Sequence, residues 1–136
     1  GDVYKRQAYY YGEHNKEAYP LKRLIDSGIP VGISTDFSVS PPEYSPATMV
    51  IRVAASGGGD PQTRTPLSVA EVVRGFTVGS TATTSRNDTG VLYPGYKADM
   101  VLYDKDLYLV PIDEFSKDNP KVLATYVGGR EVYRAT

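Results

Sequence analysis

The segment from residue 18 to residue 35 constrains the fold more strongly than any other part of this 136-residue chain. Its first half carries apolar residues at a spacing of three and four, which predicts one face of a helix: Ala18, Leu21, Leu24 and Ile25. Proline suits the first turn of a helix, so we expect the regular part to begin at Pro20 and to end at Gly28. Residues 31–35 form a short run bounded by turn residues and predict a buried strand. A helix, a tight turn and a buried strand in this order are typical of an α/β fold.

The second half of the chain predicts one well-marked helix followed by strands. Ser68 and Glu71 have the spacing of a capping box, and four apolar residues then repeat at helical spacing: Val69, Val72, Val73 and Phe76. A less regular helical stretch is expected over residues 78–85, because glycine and several threonines weaken it. The strands are expected over residues 100–103, 122–127 and 130–133, with Gly128 and Gly129 as a two-residue hairpin turn. The remaining segments predict a loop over residues 37–46, a helix over 47–55, a linker over 56–61 and a helical turn over 111–115.

The composition excludes several classes of function. The chain has no cysteine and a single histidine, His14, so it carries neither a thiolate zinc site nor a multi-histidine metal site of its own. Its 15 basic and 16 acidic residues give a net charge of -1 without a basic stripe, which argues against a nucleic-acid partner. No run of 18 apolar residues is present, and we expect no membrane partner.

Residues 1–7 have a separate interpretation. The string Gly-Asp-Val-Tyr-Lys-Arg-Gln matches the usual translation of a transposon-end adapter used in preparing sequencing libraries. We therefore expect natural sequence to begin near Ala8, and we exclude the first seven residues from the fold prediction. On this interpretation a signal peptide is left open, and the cytoplasm is the favoured compartment.

Several segments of the chain resemble the metal-dependent amidohydrolases, and within them the amidohydrolase 3 group that includes N-substituted formamide deformylases. Residues 24–36 are similar to the last barrel strand of that family and its approach. The flanking pieces with the same resemblance are residues 19–22, 39–42, 90–104 and 127–133. The family often has tryptophan and proline after the strand-end aspartate, whereas Phe37 and Ser38 stand there in this chain.

The resemblance implies a fold and a division of the chain. Residues 8–89 would be the end of a TIM-type (β/α)8 barrel, including its last strand. Residues 90–136 would return to a small β-sandwich domain and supply its C-terminal strands. The histidine ligands of the family and its mid-barrel carboxylate or modified lysine would lie upstream of this chain, which we therefore expect to be inactive alone.

The resemblance also implies a catalytic residue. Asp36 stands one residue beyond the predicted strand, and barrel enzymes place their chemistry at the C-terminal ends of strands. Without the family, an aspartate there is more often a helix cap or turn residue. With it, Asp36 is the expected ligand of a divalent metal, zinc, and the group that accepts a proton from metal-bound water. The reaction implied is hydrolysis of a non-peptide carbon–nitrogen bond in a small amide or N-formyl substrate.

Other interpretations of the chain remain open at this point. An amidohydrolase-like fold could serve as a non-catalytic scaffold, or the chain could be a complete small α/β domain that shares these motifs. His14 is expected to be a solvated loop residue. Three consecutive tyrosines are expected to pack against other barrel elements or to line a pocket: Tyr9, Tyr10 and Tyr11. Three aspartates suggest calcium but lack the spacing of an EF-hand and are expected to be turn residues: Asp99, Asp104 and Asp106.

Overall fold

The computed structural model describes residues 9, 20–34, 67–110 and 120–136 of the chain. Helices occupy the earlier part of these residues and strands the later part. The helical elements are α1 (Leu21–Asp26), α2 (Val69–Arg74), a π-helical segment called here the π turn (Gly75–Gly79), and α3 (Ser80–Thr83). The strands are β1 (Met100–Tyr103), β2 (Val122–Val127) and β3 (Arg130–Arg134).

Helix α1 begins and ends where the sequence predicts. Pro20 occupies its N-cap, and the Ser27 hydroxyl donates to the Arg23 carbonyl at 2.8 Å at the other end. Gly28 then adopts a φ of 74°, a left-handed conformation that a residue without Cβ reaches at little steric cost. The chain can therefore reverse sharply after the helix and run into residues 31–34.

The capping box at the start of α2 is confirmed. The Ser68 hydroxyl accepts from the Glu71 backbone N–H at 3.2 Å, and the Glu71 carboxylate accepts from the Ser68 backbone N–H at 2.7 Å. The helix buries Val69 and Val72, as the apolar spacing predicts. Beyond Arg74 the helical path continues without a break through the π turn into α3, so glycine and threonine do not interrupt it.

The strand predicted over residues 31–35 is not formed over residues 31–34, and Thr35 lies outside the described residues. A strand requires a neighbour in a hydrogen-bonded ladder. Within the described part of the chain, the backbone N–H of Ile33 instead donates to the Gly75 carbonyl in the π turn at 3.1 Å. Residues 31–34, called here the approach segment, are thus held by a helix. Ile33 is only 7% exposed and packs in one cluster with Leu67 and Val72.

The three strands form one antiparallel sheet in the order β1-β2-β3, in which the β2–β3 hairpin is the pairing that the sequence predicts. Val127 pairs with Arg130, so Gly128 and Gly129 make a two-residue turn. Their φ values of 58° and 79° are both positive, which is the requirement of a type I′ hairpin. Ala124, in the central strand, is fully buried, whereas all of β3 is exposed.

The α/β prediction therefore holds as a mixture of helices with a small sheet. The structure shows neither a closed barrel nor a parallel strand pair within the described ranges. Five of the segments predicted from the sequence lie outside the described residues: the adapter segment 1–7, the loop 37–46, the helix 47–55, the linker 56–61 and the helical turn 111–115.

Candidate functional site

The predicted catalytic residue, Asp36, lies outside the described residues, as do His14, Tyr10 and Tyr11. Tyr9 is described and is 84% exposed, so its expected packing or pocket role stays a prediction. What the structure does place is the approach segment, which leads directly to Asp36 in the sequence. The contacts of that segment are therefore the part of the candidate site that can be built from the residues upward.

Two glycines bring the π turn unusually close to the approach segment. A Cβ on Gly79 would lie 1.9 Å from the Val31 carbonyl oxygen, and a Cβ on Gly75 would lie 2.5 Å from the Ile33 side chain. Gly32 completes the contact from the other side, since a Cβ there would lie 2.8 Å from the Thr83 hydroxyl. Because the obstructing atom at Gly79 belongs to the backbone, a larger residue there would force the two elements apart, whereas at Gly75 and Gly32 the nearest obstacle is a side chain that would have to shift.

A polar network joins α1 to the capping box of α2 beside this contact. The Lys22 ammonium donates to Asp26 at 2.6 Å and to Glu71 at 2.7 Å. These hydrogen bonds hold the pKa of Lys22 above its ordinary value. Partial burial acts to raise the pKa of Glu71, but hydrogen bonds from Lys22 and Ser68 outweigh it and hold that pKa below the ordinary value. Glu71 is therefore ionised and fully engaged in holding two helices together, which suits a structural role.

A depression of about 260 Å³ lies between the turn after α1 and the helical path from α2 to α3. Apolar side chains such as Ile29, Val31 and Val78 line it, together with Glu71 and Arg74. It borders residues 28–31, at the start of the approach segment, whereas Asp36 follows the end of that segment. We assign no reaction to this depression.

The three aspartates near the strands act as turn residues, as predicted. Asp99 accepts from the Gly128 N–H at 2.7 Å, Asp104 from the Lys121 N–H at 2.7 Å, and Asp106 from the Tyr108 N–H at 2.8 Å. Each carboxylate thus fixes a turn or a strand end. No group of three or more His, Cys, Asp or Glu residues in the described ranges could hold a metal ion.

Sequence reasoning missed the residues that hold the approach segment. The G-x-x-x-G spacing of Gly75 and Gly79 indicates close packing, but it does not indicate which segment packs against them. Ser80 and Lys22 carried no signal, because their partners lie 47 and 49 residues away along the chain.

Comparison with a solved structure indicates the class of fold. The structure is similar to the crystal structure of an amidohydrolase from Thermotoga maritima MSB8, with a TM-score of 0.50 and 20% sequence identity. The similarity covers 96% of this chain and 40% of that one, so the chain spans less than half the length of this neighbour.

Comparison of the sequence then identifies the family. The profile of the Amidohydrolase family, Amidohydro_3, matches residues 4–133. This chain belongs to that family, which confirms the resemblance noted from its motifs. No match was found among the curated proteins. Within the described residues, no helix has both the length and the apolar character needed to cross a bilayer.

Proposed function

We propose that this chain is the C-terminal part of a hydrolase that cleaves non-peptide carbon–nitrogen bonds in small amide or N-formyl substrates. The family match over residues 4–133 is the observation that carries the proposal. The 40% coverage of the structural neighbour supports the idea that the catalytic unit is longer than these 136 residues. We call that longer catalytic unit the whole protein.

The proposed architecture assigns residues 8–89 to the end of a barrel and residues 90–136 to a β-sandwich domain. The distribution of elements supports this division, because every described helix precedes residue 90 and all three strands of the sheet follow it. The capping-box helix and the hairpin lie one in each part.

Asp36 is the proposed catalytic residue and the proposed ligand that this chain gives to a divalent metal, zinc. Such an ion, when bound, would lower the pKa of a coordinated water. The chemical step that we assign to Asp36 itself is proton transfer. Its carboxylate oxygen would accept a proton from the attacking water and return it to the leaving nitrogen, as a general base and then a general acid.

Substrate hydrolysis by the whole protein tests this proposal. Purified, zinc-supplemented protein should release formate or carboxylate from a panel of N-formyl amines and simple amides. Matched esters serve as the control for bond specificity. A folded protein with bound metal that hydrolyses none of the panel would refute the proposed reaction and favour the scaffold interpretation.

A further inference from the structure

Hydrogen-bond donors from two distant parts of the chain converge on the Gly75 carbonyl oxygen. The Ile33 backbone N–H donates to it at 3.1 Å and the Ser80 hydroxyl lies 2.8 Å from it. The cap N–H at Ser80 also donates to it, which is the wide i to i+5 bond of a π turn. In a regular α-helix this carbonyl would pair inside the helix one residue earlier. The π turn thus makes Gly75 an acceptor for the approach segment.

The Ser80 hydroxyl also lies 3.3 Å from the Ile33 carbonyl oxygen. Its single proton is therefore shared between the carbonyls of Gly75 and Ile33. Both polar groups of the Ile33 backbone are in this way tied to the same turn, one through Gly75 and one directly through Ser80. The lack of a Cβ at Gly75 and Gly79 permits this close approach of the two elements.

We propose that Ser80 is a positioning residue for catalysis, which holds the approach segment in a fixed register against the π turn. This inference rests on the proposed function, because the segment matters for catalysis only if Asp36, three residues beyond Ile33, carries the reaction. Misplacement of a catalytic group by about 1 Å through a remote change can lower a rate by about 10²-fold. The Ser80 hydroxyl fixes the backbone that leads to the proposed base, so its loss could displace that base and lower the rate in this way.

Thr77 provides a matched control on the same helical path. Its hydroxyl donates to the Val73 carbonyl at 2.8 Å, inside its own helix. Removing that hydroxyl perturbs the helix but leaves the bonds to Ile33 in place. A difference between Ser80 and Thr77 variants therefore reports the link to the approach segment rather than helix stability.

The test compares Ser80→Ala with Thr77→Ala in the whole protein, using an N-formyl amine as substrate. We expect kcat of Ser80→Ala to fall about 10- to 100-fold while KM and metal content stay within about twofold. Thr77→Ala should keep the wild-type kcat. Ser80→Cys keeps a side chain of similar shape, somewhat larger, with a weaker donor, and it should show a smaller loss of kcat. It carries the test if Ser80→Ala does not fold.

Amide hydrogen exchange at Ile33 gives an independent readout, and it should be faster in Ser80→Ala than in Thr77→Ala. A wild-type kcat in folded Ser80→Ala, or equal losses in both variants, would overturn the positioning role. Asp36→Asn separates the two claims. If it is inactive while Ser80→Ala is fully active, only the positioning role fails. If it retains activity, the assignment of catalysis to Asp36 and the inference fail together, whereas the proposed hydrolysis itself stands.

Discussion

Replacement of Gly79 by alanine is the most direct perturbation of the contact between the π turn and the approach segment. The added methyl would lie 1.9 Å from the Val31 carbonyl oxygen, where Cβ atoms need at least 3.0 Å. The obstructing atom belongs to the backbone, so no side-chain rotation can relieve the clash. Overpacking of this kind destabilises a fold by about 1–3 kcal/mol, and we place this case at the upper end.

Helix propensity acts in the opposite direction at the same position. Alanine in place of glycine stabilises a helix interior by about 1 kcal/mol, so the net destabilisation should be about 2 kcal/mol. Gly75→Ala serves as the comparison, because the methyl there meets only the Ile33 side chain, 2.5 Å away, which can rotate. Its net effect should therefore be smaller.

Urea unfolding of the whole protein, followed by circular dichroism, measures both variants. The predicted order of stability is wild type, then Gly75→Ala, then Gly79→Ala. If Gly79→Ala were as stable as wild type or more stable, helix propensity alone would govern the site. The close approach to Val31 would then be wrong, and the positioning role of Ser80 would lose the contact that supports it.

Three further predictions concern Glu71, Asp99 and the isolated chain. Because the pKa of folded Glu71 lies below its ordinary value of 4.5, its contribution to stability is present above that pH and is lost as pH falls through the folded pKa. Glu71→Gln should therefore flatten the acid limb of a stability-against-pH curve below about pH 4.5, and an unchanged limb would contradict the Lys22–Glu71 pairing. Asp99→Ala should destabilise the hairpin by about 1 kcal/mol in urea unfolding, because the hydrogen bond to the Gly128 N–H is lost. Asp99→Asn keeps an acceptor and should have little effect. Equal effects of the two variants would count against that hydrogen bond. The 136-residue chain alone should show no amide hydrolysis and no stoichiometric zinc binding by calorimetry, since a catalytic zinc normally has about three protein ligands; tight zinc binding would show that the ligand set is complete within it.

The features that the sequence predicts correctly depend on neighbouring residues. The capping box of Ser68 and Glu71 spans one helical turn, and the hairpin at Gly128 and Gly129 needs only a pair of positive φ values. Both follow from local sterics and local hydrogen bonds. Such features can be recognised before the rest of the fold is known.

The features that the sequence does not predict depend on distant partners. The approach segment has the composition of a buried strand, yet its Ile33 N–H pairs with the carbonyl of Gly75, which lies 42 residues further along the chain. Local pattern cannot distinguish a helix carbonyl from a strand carbonyl as the acceptor. Ser80 cannot be predicted for the same reason, because its side chain contacts Ile33 only in the folded chain. The local signal at Asp36, a position one residue beyond a predicted strand, also fits a turn or cap residue, so its catalytic role is implied by the family resemblance.

The kcat of Asp36→Asn in the whole protein tests the central claim most directly. The substitution keeps the shape of the side chain and removes its basicity, so kcat should fall by about 10²–10⁴-fold with normal folding. Asp106→Asn is the matched control, because Asp106 only accepts a turn hydrogen bond from the Tyr108 N–H, and it should keep the wild-type kcat. A folded, metal-loaded Asp36→Asn protein with the kcat of the wild type would contradict the assignment of catalysis to Asp36.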